Sequence, residues 1–144
     1  MGLAAVAYGA PLVDHMQSGV SWIYAYASGA YKPAANQLDN NTSTYYENYP
    51  CASGDWTAVV FPVAVTFETV YLLRYSHNLV TADIYAGNSA NPSQNVRCAA
   101  VTAMEGAYRC SATATYIHIW GVDDPSCSYM KIAEWRVFSD IEVG

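Results

Sequence analysis

Apolar and polar side chains alternate along this chain in short runs, and no apolar stripe recurs at helical spacing over ten residues. Residues 65–73 and 116–120 are dense in β-branched and aromatic types, which suit a pleated, half-buried surface. Similar runs lie at 20–26, 57–61, 79–86 and 130–138. Turn formers separate them: Asp39-Asn40-Asn41, Ser53-Gly54-Asp55, Gly87-Asn88-Ser89-Ala90-Asn91-Pro92 and Gly121-Val122-Asp123-Asp124-Pro125. The pattern predicts an all-β sandwich or barrel over residues 20–144, with at most one helical turn near 31–38. An apolar N-terminal arm, residues 1–19, precedes it.

The 144 residues are 53% hydrophobic and 12% charged, enough apolar surface for one buried core. A net charge of −6 argues against nucleic acid and against anionic membranes. No apolar run reaches the roughly 20 residues that span a bilayer, so no membrane insertion is expected. The arm opens with an apolar stretch but no basic segment, so it does not read as an intact signal peptide. Its Leu3, Val6, Tyr8, Leu12 and Val13 need a covering surface. Either the arm folds back on its own domain, or it adds a strand to a neighbouring copy and builds a homo-oligomer.

Four cysteines, Cys51, Cys98, Cys110 and Cys127, contain no C-x-x-C pair. Disulfides suit them better than zinc, and disulfides imply a secreted, extracellular protein. Overlapping sequons at Asn40 and Asn41 agree with that compartment. His15, His77 and His118 share no zinc spacing, and no nucleophile elbow, phosphate loop or dinucleotide fingerprint is present. His118, inside a strand run, reads as a structural residue. The expectation is a binding protein, not an enzyme.

Three stretches carry one resemblance when taken in order: residues 36–41, with Asn36, Asp39 and Asn41; residues 55–61, with Asp55 and Trp56; and residues 132–138, with Glu134. Together they resemble segments of the discoidin-like, galactose-binding-fold domains. Asn36-Gln37-Leu38-Asp39-Asn40-Asn41 is similar to their N-x-x-D-G-N loop. Asp55-Trp56-Thr57-Ala58-Val59-Val60-Phe61 stands where they carry a W-x-V-D-L/F strand. Ile132-Ala133-Glu134-Trp135-Arg136-Val137-Phe138 resembles their closing strand. The middle of the chain, with Gly87-Asn88-Ser89, Asn95-Val96-Arg97-Cys98 and Gly106-Ala107-Tyr108-Arg109-Cys110, is similar to the G-x-S…N-x-x-C…G…C passage of F-type, fucose-binding lectins. The resemblance covers about residues 20–140 and implies a jelly-roll β-sandwich.

It also implies site residues. Asn36, Asp39, Asn41 and Glu134 match the family's calcium ligands, and hard oxygen donors of this kind suit Ca2+. An ordinary Asx turn with a solvated Glu134 is the plain alternative. If Asn41 holds metal, Asn40 is the glycan acceptor. The resemblance pairs Cys98 with Cys110 and leaves Cys51 for Cys127, although the family's partner position is Ala133 here. For sugar, Arg74 occupies the place of the family's first arginine. Ser53 replaces its histidine, and the segment with Tyr75, His77 and Asn78 is short and lacks a second arginine. His77 and Asn78 could supply polar contacts, with Tyr75 or Trp56 as the apolar platform. The resulting expectation is a secreted, calcium-stabilised, lectin-like module for a glycan, with fucosylated glycans the family's choice. The competing expectation is an extracellular assembly subunit, oligomer or filament, whose sugar site has decayed.

Overall fold

A computed structural model describes residues 12–14, 24–27, 34–38, 41–47, 56–74, 82–102, 105–121 and 131–140. Asp39, Asn40, Cys51, Cys127, Tyr75, His77 and Asn78, and the arm apart from residues 12–14, lie outside them. The strands are β1 (Leu12–Asp14), β2 (Tyr24–Ala27), β3 (Tyr46–Glu47), β4 (Trp56–Arg74), β5 (Asp83–Gly87), β6 (Val96–Ala100), β7 (Glu105–Trp120) and β8 (Lys131–Asp140). Two 3-10 turns, Ala34–Gln37 and Pro92–Gln94, complete the described elements. All strand pairs are antiparallel.

The sandwich is built on one long ribbon. β4 and β7 pair from Trp56↔Trp120 to Leu73↔Glu105, with a break between Val60 and Val65. Pro62 lies in that break and has no N–H to give the ladder, so the strand bends there. Pro62, Val63 and Ala64 are exposed at the corner. Before the corner the ribbon pairs with β2 on one side and β5–β6 on the other, forming a front layer. Beyond it, β8 takes the β2 side of β4 and carries β3 and β1, forming a back layer. The runs 57–61 and 65–73 are thus two halves of one strand.

Val59, Ile84, Ile117 and Ile119 from the front and Phe67, Val70, Leu72, Trp135 and Val137 from the back share one core. Phe67 and Val70 are an odd number of positions apart and would face opposite ways in a regular strand. The irregularity between Phe67 and Thr69 absorbs one residue and turns both inward. β7 changes parity at the corner instead, with Cys110 and Ala114 inward on its back half and Ile117 and Ile119 inward on its front half.

Among the described residues, two cross-links hold the layers. Cys98 on β6 is bonded to Cys110 on the back half of β7, with Cα atoms 5.2 Å apart, as the resemblance implied. Gln37, fully buried at the end of the first 3-10 turn, donates to Thr57 Oγ1 of the front layer at 2.7 Å. Its Oε1 accepts the indole N–H of Trp135 in the back layer, also at 2.7 Å. Residues 12–14 of the arm pair within the chain, Leu12↔Asp140 to Asp14↔Phe138, along the free edge of β8.

Candidate functional site

The loop after the first 3-10 turn reaches the closing strand. The Asn41 backbone N–H donates to Glu134 Oε2 at 3.0 Å, joining residues 93 positions apart. Glu134 faces away from the core, opposite Leu73, yet is only 2% exposed. Its other oxygen, Oε1, accepts from Arg136 Nη1 at 2.6 Å, and the same nitrogen donates to the Trp135 carbonyl at 2.7 Å. Asn36 Nδ2 donates to the Tyr45 carbonyl at 3.1 Å. Asn41 Oδ1 accepts from Ser43 N at 2.9 Å, an Asx turn, and its carbonyl accepts from Thr44.

Of the four expected metal ligands, Asn41 and Glu134 are therefore in direct contact, and Asn36 is fastened to the far end of the same loop. Asp39 lies outside the described residues. The side chains are amides and a carboxylate, an all-oxygen set that fits a hard cation. Arg136 shares the Glu134 carboxylate with any such ion, and a carboxylate has lone pairs for both. No group of three or more His, Cys, Asp or Glu among the described residues is arranged to hold a metal, so the amides and backbone carbonyls would have to complete a shell.

Arg74 ends β4, half-buried, opposite Ile132 where the β4–β8 ladder is irregular. Its neighbour Leu73 pairs with Glu134, so the expected sugar anchor and the expected metal ligand stand one register step apart. On the outer face with Glu134, Tyr71 donates its hydroxyl to Glu105. Burial and then that hydrogen bond push the Tyr71 pKa up to about 12, which keeps the phenol a donor.

Trp56 is at the other end of β4, its ring 5.0 Å from His118 in a T-shaped contact. His118 is buried on the outer side of the front layer and stacks on Tyr116. Its Nε2 lies 3.1 Å from the Ala90 carbonyl, which can only accept, so this nitrogen carries the proton. Nδ1 then accepts from Asn95 Nδ2 at 3.3 Å. The Asn95 amide is oriented by Ser89, whose N–H reaches Asn95 Oδ1 and whose carbonyl accepts from Asn95 Nδ2. A Cβ at Gly87 would overlap that amide, which accounts for the glycine. Asn88 Oδ1 accepts the N–H and hydroxyl of Thr115, at the corner where the β4 ladder lapses. The Gly87-Asn88-Ser89…Asn95 pattern is thus a scaffold for the loop and for His118.

Burial lowers the His118 pKa, with the Ala90 hydrogen bond opposing, so the fold selects the neutral ring. As pH falls through about 6.5 the unfolded chain takes up the proton first. The His118 contribution is complete above that value and shrinks as pH drops. The thermal midpoint should therefore decline from pH 7 to 5 with a smaller slope in His118→Gln; equal slopes would contradict the assignment.

The front layer presents one further cluster outward. Arg97 Nε and Nη2 meet Asp83 Oδ2 and Oδ1 at 2.9 and 3.3 Å. Tyr85, opposite Arg97, lies in a T-shaped contact with Trp120, ring centroids 5.1 Å apart. These side chains come from three strands, β5, β6 and β7, so no spacing in the sequence groups all four. The alternation of Asp83 and Tyr85 against the inward Ile84 and Ala86 was the one legible signal.

No protein-family model matches the chain, and no curated protein does. Solved structures do. An F-type lectin (fucolectin) from striped bass serum matches with TM-score 0.72 at 19% identity, over 84% of this chain and 46% of that one. This chain thus spans less than half the length of the bass lectin. A family 32 carbohydrate-binding module of Clostridium perfringens NanJ, solved with galactose, matches with TM-score 0.71 at 17% identity, over 90% of this chain and 100% of that one. A chitosan-binding module from a Paenibacillus chitosanase/glucanase matches with TM-score 0.69 at 18% identity, over 79% and 92%. At these identities the likeness is one of architecture: the chain has the jelly-roll fold shared by F-type lectins and discoidin-like, galactose-binding-type modules.

Proposed function

We propose that this chain is a carbohydrate-binding module that takes a glycan at the end of the sandwich where Arg74 leaves β4. The observation that carries the reading is the position of Arg74, half-buried and one register step from Glu134, on this fold. Structures with the same architecture include one solved with galactose. A half-buried guanidinium suits the work: its planar fork donates to vicinal hydroxyls, and neighbouring aromatic surface takes the apolar sugar face. Tyr75, His77 and Asn78 follow in the sequence and are the proposed further contacts. A binding module needs no catalytic group, and none is assigned. A glycan array in calcium tests the reading. Signals on fucosylated or galactosylated glycans that fall at least tenfold in Arg74→Ala support it; an array without signal overturns it.

Calcium and secretion belong to the same proposal. Asn36, Asn41 and Glu134, with Asp39, would hold the ion, which would neutralise the Glu134 side of the loop and fix it to β8. An ion that binds only the folded chain stabilises it by mass action, about 2.7 kcal/mol at a hundredfold excess over Kd. Chelation should therefore lower the thermal midpoint by several degrees. An unchanged midpoint, with no calcium in elemental analysis of the purified protein, would remove the ion from the account.

A further inference from the structure

The outer face of the front layer carries more chemistry than a solvated sheet requires. β5 alternates Ile84 and Ala86 into the core with Asp83 and Tyr85 outward. β7 places Trp120 opposite Asp83, and β6 places Arg97 opposite Tyr85. The four side chains thus form one compact group, aromatic on the β7 side and ionic on the β6 side. Tyr85 and Trp120 are half-buried, and their contact props both rings into fixed positions. The Arg97 side chain is 54% exposed and Asp83 23%.

Asp83 holds Arg97 by a hydrogen bond from Nη2 to Oδ1 and by the ion contact of Nε with Oδ2, and the two together orient the guanidinium. Two of its five N–H donors meet Asp83, and the others remain for a ligand. A fixed fork of donors beside a carboxylate acceptor and a propped aromatic pair is complementary to a pyranose ring. Such a ring offers an apolar C–H face and adjacent hydroxyls that both donate and accept. The ion pair is neutral as a unit, and the chain carries −6 overall, so an anionic sugar would gain no net attraction.

We propose that Asp83, Tyr85, Arg97 and Trp120 form a second carbohydrate-binding surface, on the sheet face, selective for neutral glycans. The proposal shares its ligand class with the loop reading but not its site, and the two fail separately. The test is an NMR titration of the full chain with methyl β-D-galactopyranoside, followed at the Trp120 indole N–H (assigned with Trp120→Phe), and repeated with the methyl glycoside of galacturonic acid. The expected result is a saturable Trp120 shift with the neutral glycoside in wild type and in Arg74→Ala. Arg97→Ala should weaken it at least tenfold, and Arg97→Lys should restore little because it lacks the fork. The galacturonide should bind several-fold more weakly. An unmoved Trp120 signal, an Arg97→Ala variant that titrates like wild type, or loss of the shift in Arg74→Ala overturns the proposal. So does a concentration-dependent mass in light scattering that Trp120→Phe abolishes, since the face would then belong to a second copy of the chain.

Discussion

Glu134→Leu should destabilise the chain by about 3 kcal/mol, at the low end of the range for breaking a buried pair because Arg136 retains some solvent contact. The carboxylate is 3% exposed as a side chain and serves two donors at once. Without it the Arg136 guanidinium loses this carboxylate, and the Asn41 N–H loses this acceptor. Glu134→Gln keeps an acceptor for Asn41 but not the charge, so it should lose less, about 1–2 kcal/mol. Urea denaturation at fixed calcium separates the variants, and a wild-type midpoint for Glu134→Leu would contradict the role given to this contact. The double variant Glu134→Leu/Arg136→Met should recover part of the loss, because the pair is then replaced rather than broken.

The second large effect belongs to Gln37. Gln37→Ala removes a fully buried side chain and both of its hydrogen bonds across the sandwich. The Trp135 indole N–H is left in the core without its acceptor, and Thr57 loses one partner. An orphaned buried donor costs about 1–3 kcal/mol, and the cavity adds to it, so a total of roughly 2–4 kcal/mol is expected. Gln37→Leu should fare no better: it fills the space but still orphans Trp135. Guanidinium denaturation monitored by tryptophan fluorescence reads both. A loss under about 0.5 kcal/mol, the scale of an ordinary surface substitution, would mean that the layers do not depend on this bridge.

The architecture was legible where it depends on local alternation and turn chemistry. Strand character at 65–73 and 116–120, the short helical turn near 31–38 and the all-β class all follow from residue types within a few positions of one another. The corner at Pro62 was less plain. A proline between two strand runs reads as a boundary, whereas β7 carries the ladder past it and keeps the runs in one strand. β6 was hidden for another reason: Val96 and Arg97 are exposed on this edge strand, so its hydrophobic signal is weak.

Site residues divide in the same way. The meeting of Asn41 with Glu134 spans 93 positions and was accessible only through resemblance. Gln37 stands inside the loop motif, yet its partners are 20 and 98 positions away, so nothing local marks it as the bridge. The Gly87…Asn95 passage carries the likeness to sugar-binding proteins, but here its side chains brace the loop and His118. Asp83, Tyr85, Arg97 and Trp120 meet only because β6, β5 and β7 adjoin.

Calorimetric titration of the intact chain in calcium, with methyl α-L-fucopyranoside and methyl β-D-galactopyranoside, addresses the sugar-binding reading most directly. At least one glycoside should give a saturable heat, and Arg74→Ala should weaken the site at the end of β4 at least tenfold. The absence of a binding heat with both, from a protein that unfolds cooperatively, would leave a lectin-like fold without a lectin's activity.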